Sequence, residues 1–245
     1  MAQGYQRKGS IHIRSINPDF CSYVDTGELR KGVATIKPWV GLHHHGVQRL
    51  PAELHDREPQ DEEFSATIAA NVGYVLDGVY RDWIDPTSPD GAVLLKAGRP
   101  KVQNAAQAAA VAGIGRPGTP SEVMSAIEQA CKVLDGYADL RKLPEARRIR
   151  GSLVQPHFTL VAIYLLLGDE VSACRWLVEG ERMDCQQEGP VCEQFRRFER
   201  NALARMSADA PAELERQRVE ASKPAQTAPA VVVIGRLFGR KPKAR

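Results

Sequence analysis

Ser10-Ile11-His12-Ile13-Arg14-Ser15-Ile16, followed by Phe20-Cys21-Ser22-Tyr23-Val24-Asp25-Thr26, is the stretch on which the fold turns. Period-two alternation sends successive side chains to opposite faces of a sheet. Ile11 and Ile13 therefore share one face, and His12 and Arg14 the other. Between the two segments, Asn17-Pro18-Asp19 is turn chemistry: proline presets φ, and the Asn and Asp side chains hydrogen-bond nearby backbone. The pair predicts a β-hairpin. On its second strand Phe20, Ser22 and Val24 oppose Cys21, Tyr23 and Asp25.

Working outward, residues 37–45 alternate as well. Trp39, Gly41, His43 and His45 share one face, with Val40, Leu42 and His44 on the other. Residues 47–57 predict a short helix with Val47, Leu50 and Leu54 at helical spacing and Pro51 in its first turn, where proline is tolerated. Residues 67–76 form a fourth segment. Its alanines suit a helix equally well, but Asn71, Gly73 and Tyr74-Val75 weaken one, so a strand is expected, closed by an Asp77-Gly78 turn.

From Thr119 the period changes to that of a helix. Thr119-Pro120-Ser121-Glu122 is a capping box with proline at the first helical position, and Val123, Ile127, Ala130 and Leu134 follow on one face. Residues 158–167 are apolar nearly all round, which predicts a buried helix. Gly168 ends it and Asp169 caps the next, in which Val171, Cys174 and Val178 align. Pro190 opens a last strong helix with Val191, Phe195, Phe198, Ala202 and Met206 inside and Glu193, Arg196, Arg197 and Arg200 outside. Short loops between these helices imply antiparallel neighbours. Beyond Ser207 neither a helical apolar face nor a long alternating one continues. Residues 212–221 read as a solvated helix without a core face, dispensable for folding, ahead of an apolar Val231-Val232-Val233-Ile234 patch.

The expected architecture is α+β. Residues 1–85 form an antiparallel sheet domain of about four strands, and 119–207 a C-terminal helical bundle. The proline-rich segment 86–118 is a linker or mobile insertion carrying one short helix at 102–112, and 208–245 a flexible basic tail.

The chain has 245 residues, 43% of them hydrophobic, enough for a substantial core. Residues 236–245 carry five basic side chains and no acid against a net charge of +3 for the whole, so the remaining body is slightly acidic. That argues against a broad nucleic-acid face and leaves only the tail to touch nucleic acid or anionic lipid weakly. The five cysteines are an odd set without a CxxC pair, which reads as free thiols in a reducing cytoplasm. The longest apolar run, 160–167, falls far short of the roughly 18 residues of a membrane span, and the first nine residues lack a signal-peptide core.

Three sequence features invite a chemical reading. His43 and His45, two apart on a predicted strand, face one way and can ligate a zinc or other divalent ion. The third ligand that a catalytic zinc requires would have to come from His12 or Asp25, since no HExxH or CxxC supplies it. Gly113-Ile114-Gly115-Arg116-Pro117-Gly118 matches GxGxxG by letter. However, no strand precedes it and Pro117 lacks an amide to offer a phosphate, so it reads as a loop. Cys174, Cys185 and Cys192 with His157 have the side chains of a metal cluster, but Cys174 falls on the apolar face of its helix and Cys192 beside the inner face of the next, where cysteine packs as a small hydrophobe.

Within residues 157–185, Tyr164, Gly168, Ala173 and Leu177 stand at the spacing of an aromatic, an inter-helix glycine, a small packing residue and an apolar residue. This segment resembles a single tetratricopeptide-type helix pair. Cys185 occupies the place of the closing proline, and no second copy appears at a period of ~34 residues. The resemblance implies protein binding rather than chemistry. The sequence thus predicts a cytoplasmic, non-enzymatic protein-binding accessory protein. It would act through the exposed sheet face or through Arg196, Arg197 and Arg200. The competing class is a metal-dependent enzyme centred on His43 and His45.

Overall fold

The computed structural model describes residues 4–8, 11–25, 35–58, 66–84, 116–150 and 156–223. Its strands are β1 (Gln6–Lys8), β2 (Ile11–Ser15), β3 (Phe20–Asp25), β4 (Thr35–Ile36), β5 (Trp39–His44), β6 (Ile68–Asn71), β7 (Trp83–Ile84) and β8 (Arg116–Pro117). The main sheet has five strands in the order β1-β2-β3-β5-β6, every pair antiparallel. Strands β4, β7 and β8 form a small second sheet, in which β7 and β8 run parallel. The helices are α1 (His45–Leu54), α2 (Val72–Asp77), α3 (Pro120–Asp135), α4 (Pro156–Leu167), α5 (Glu170–Asp184), α6 (Pro190–Leu203) and α7 (Ala210–Ser222), with a 3-10 turn at Leu143–Arg148. The protein is therefore α+β, an N-terminal antiparallel sheet followed by a mostly helical C-terminal region.

The hairpin forms as its residues dictate. Asn17 Oδ1 accepts from the amides of Asp19 and Phe20 at 3.0 and 2.9 Å, which closes the β2–β3 turn. One face of the sheet carries Phe20, Val24, Val40, Leu42, Ile68 and Ala70, all buried. Helix α3 covers that face with Val123, Ile127, Ala130, Cys131 and Leu134. Its capping box is complete, with Thr119 and Glu122 bonding each other's backbone. Gly41 is required by register: a Cβ there would collide with the Tyr23 ring and the Ile68 carbonyl.

Helix α1 joins the sheet to the bundle. It buries Val47, Leu50 and Leu54 and packs against both α4 and α6. Asn201 of α6 donates to the Leu54 carbonyl at 2.9 Å, pairing one of the carbonyls left over at the end of α1. The buried apolar side chains of sheet and helices make one continuous core. No helix among the described residues is long and apolar enough to cross a membrane.

The expected antiparallel sheet is present, with β1, too short and polar to show an apolar period, as its fifth strand. Several other expectations need correction. Residues 67–76 do not stay extended: the chain leaves β6 at Asn71 and turns into α2. Asn71 is fully buried; its Oδ1 takes the amides of Gly73 and Arg81, and its Nδ2 donates to the carbonyls of Pro38 and Arg81. That saturated side chain caps a helix where a strand would otherwise continue. Pro51 sits inside α1 rather than in its first turn. Val171 and Val191 are exposed, at 51% and 59%, because the buried stripes run instead through Ala173, Cys174, Leu177 and Val178 on α5 and Cys192, Phe195, Phe198 and Ala202 on α6.

The largest correction concerns the segment after Ser207. Helix α7 docks on α5, with Ala210 and Leu214 each 2% exposed and Gln217 8%. Arg218 bridges Glu181 of α5 and Glu199 of α6 at 2.7 and 2.8 Å. The bundle therefore runs through Ser222. The predicted helix at 102–112, Gly113 to Gly115 of the glycine motif, and the apolar patch at 231–234 lie outside the described residues.

Candidate functional site

The bundle is concave where α5, α7 and the start of α4 meet. A cavity of about 550 Å³ opens there, lined by Pro156, Trp176, Val178, Met183, Gln217 and Ala221, with Arg175, Glu179, Arg216 and Glu220 around it. The local sequence explains why it forms. Helix α5 buries Ala173, Cys174, Leu177 and Val178 against its neighbours, which turns the large apolar Trp176 and Met183 to its flank. Helix α7 has one large buried aliphatic side chain, Leu214, and polar residues beyond it, so the C-terminal half of α7 leaves a furrow beside α5 instead of closing on it.

The furrow has an apolar floor and a charged margin. Met183 is 46% exposed, and the Trp176 ring takes the Arg147 guanidinium at 5.9 Å from its centroid. On the α7 side, Arg216 pairs with Glu213 at 2.7 Å and Glu220 at 3.3 Å. Hydrogen bonds from Arg216 and Gln217 hold the Glu213 carboxyl down at about 2. Gln217 also donates to the Val171 carbonyl at 2.9 Å, which fixes α7 against the first turn of α5. Such a surface offers an apolar anchor point flanked by charges of both signs. It presents no nucleophile and no poised acid–base pair.

The residues singled out in the sequence lie elsewhere. His43 is the penultimate residue of β5 and is 9% exposed, but His45 is the first residue of α1 and not a strand residue. The two rings nevertheless meet, His43 Nε2 lying 3.1 Å from His45 Nδ1. His12 cannot complete the set, because its register with Val24 places it on the opposite sheet face from His43, which pairs with Cys21. Asp25 shares the His43 face but pairs with Trp39, four residues along the strand. Among the described residues no group of three or more His, Cys, Asp or Glu is placed to hold a metal ion. On α6, Arg196, Arg197 and Arg200 are exposed, and Arg196 pairs with Glu188 at 2.6 Å.

Two buried polar clusters lie away from the furrow. Between β2 and α3, Tyr5 lies 3.2 Å from Ser22 Oγ, and Arg14 pairs with Asp135. Burial, with the Cys131 bond adding to it, pushes the Tyr5 phenol up to about 12, and burial likewise raises the Cys131 thiol, so neither is activated. Between α1, α4 and α6, His55 and His157 pack among Phe158, Phe195 and Phe198. Burial lowers both imidazoles, His55 to about 4, the charge of Arg57 adding to its shift. His157 Nε2 lies 3.0 Å from Asp184 Oδ2, yet neither ring nitrogen has an aligned hydrogen-bond partner. The pair is a close approach, and burial outweighs the carboxylate.

Cys185 and Cys192 form a disulfide, and Cys21, Cys131 and Cys174 are free, which corrects the reading of five free thiols. No family model, no curated protein and no solved structure matches the chain.

Proposed function

We propose that this is a non-enzymatic accessory protein of the cytoplasm that binds a short segment of a partner polypeptide in the furrow between α5 and α7. The observation that carries the reading is a cavity of about 550 Å³ lined by the exposed Met183 and the half-buried Trp176 and bordered by Arg175, Glu179, Arg216 and Glu220. A side chain such as tryptophan at a partly wet position supplies a large apolar contact area at small entropic cost, which is why aromatic and methionine side chains concentrate in binding surfaces. The occupant is a segment with one aromatic or branched aliphatic anchor for the floor and at least one charged neighbour for the rim. The resemblance of residues 157–185 to a tetratricopeptide-type helix pair supports the same reading.

Panning of displayed random peptides against the full chain tests it. The selected peptides should share an apolar anchor next to a charge. Trp176→Ala should weaken their binding by tenfold or more, about 1.4 kcal/mol, while Arg200→Ala leaves it unchanged. Selected peptides whose affinity follows Arg196, Arg197 and Arg200 and ignores Trp176 would move the site to α6. Failure to select any peptide would remove the proposal.

A further inference from the structure

We infer that Cys185–Cys192 is a reversible dithiol–disulfide site that exchanges with a low-molecular-weight thiol of the glutathione type, with Cys185 as the attacked sulfur. The pair closes the turn between α5 and α6: Cys185 caps the end of α5, and Cys192 lies in the first turn of α6, seven residues on. The two sulfurs differ in access. Cys185 is half-buried, whereas Cys192 is 1% exposed.

That asymmetry sets the direction of chemistry. An external thiolate reaches Cys185 Sγ; the new sulfur–sulfur bond forms there as the Cys185–Cys192 bond breaks. Its electron pair leaves on Cys192 Sγ, which then takes a proton from solvent. A second external thiolate attacks the external sulfur of the mixed disulfide and frees Cys185, so two external thiols become one external disulfide and the protein gains two thiols. The leaving sulfur bears the cost of buried charge, which its position in the helix offsets in part. It sits at the N-terminus of a 14-residue helix whose N-cap, Gly189, offers no side chain to occupy the first-turn amides. Departing thiols that are stabilised as thiolates leave faster.

The remaining cysteines support reversibility over a permanent cross-link. Cys131 and Cys174 are buried free thiols and Cys21 is a third, the thiol-rich pattern of a reducing compartment, where disulfides that do form are transient or redox-sensing. The inference stands independently of the furrow.

The test is equilibration of the folded full chain in glutathione buffers stepped from oxidising to reducing, followed by acid quench, alkylation and intact mass. The expected result is conversion between closed and doubly alkylated pair within the buffer series, reached from both directions. Reduction should be accompanied by a melting-temperature loss of roughly 5–10 °C, from release of a short loop. A pair that opens only on unfolding is a structural cross-link and overturns the inference, as does a pair that stays open under oxidised glutathione. The polarity has its own readout: oxidised glutathione should label Cys192→Ser on Cys185 and leave Cys185→Ser unlabelled. Equal labelling of the two variants overturns the assignment of Cys185 as the attacked sulfur.

Discussion

Leu214→Ala separates a docked α7 from a solvated one. Leu214 is 2% exposed and belongs to the continuous core, although the helix around it is otherwise polar. Truncation removes buried methyl and methylene groups and leaves a cavity, which costs about 2–5 kcal/mol for a fully buried leucine. The upper half of that range is less apt here, because α7 is the last described element and can settle towards α5. An expectation of about 2–3 kcal/mol corresponds to a melting-temperature loss of roughly 4–12 °C in a chain of this size. Val219, 52% exposed on the same helix, is the internal control: Val219→Ala should stay within about 0.5 kcal/mol. Urea and thermal denaturation of the full chain and both variants give the answer. If Leu214→Ala unfolds with the parent's midpoint, or if both variants lose the same amount, α7 is not part of the core and the bundle ends at α6.

Three further outcomes follow from buried groups. Burial holds His55 near 4 against an ordinary value of about 6.5, so the folded chain resists a proton that the unfolded chain accepts. Stability should be intact above about pH 6.5 and fall progressively towards about pH 4, by about 1–2 kcal/mol once solvent screening is allowed for. His55→Phe, which suits the neighbouring Phe158 and Phe198 rings, should flatten that slope in a melting-temperature series; an unchanged slope would assign the effect elsewhere. Gly180→Ala should cost about 1–3 kcal/mol by urea denaturation, because the new methyl would lie 2.6 Å from Phe195 Cε2 and 3.0 Å from His157 Cδ2 in packed surroundings. Elemental analysis of purified full chain should find no stoichiometric zinc, manganese or iron. A metal present one to one and lost in His43→Ala with His45→Ala would establish the metal-dependent alternative.

What the sequence disclosed and what it hid divide along physical lines. The β2–β3 hairpin and the start of α3 were legible because their signals are local: alternation, an Asn-Pro-Asp turn, and a Thr-Pro-x-Glu cap whose partners lie three residues apart. The switch at Asn71 was not, since it depends on carbonyls at Pro38 and Arg81 that only the folded chain brings to that side chain. The docking of helix α7 is hidden from the sequence for a related reason. It rests on one leucine, one alanine, the polar Gln217 and the long-range pairs of Arg218, and so produces almost no apolar period. The Cys185–Cys192 pairing needs the geometry of the α5–α6 turn. The furrow itself left one readable trace. Trp176 and Met183 are large apolar residues off the stripe of Ala173, Cys174, Leu177 and Val178, and a stripe drawn through those four marks both as lying on its flank.

The central claim is that a polypeptide segment occupies the furrow, and a hydrogen-exchange footprint of a panned peptide on the full chain tests it most directly. Binding should slow exchange in residues 175–183 of α5 and 216–221 of α7, the two stretches that line the cavity, and leave the outer turns of α6 around Arg196 to Arg200 unchanged. Protection confined to α6 or to the sheet, with both furrow stretches exchanging as in the free protein, would contradict the account.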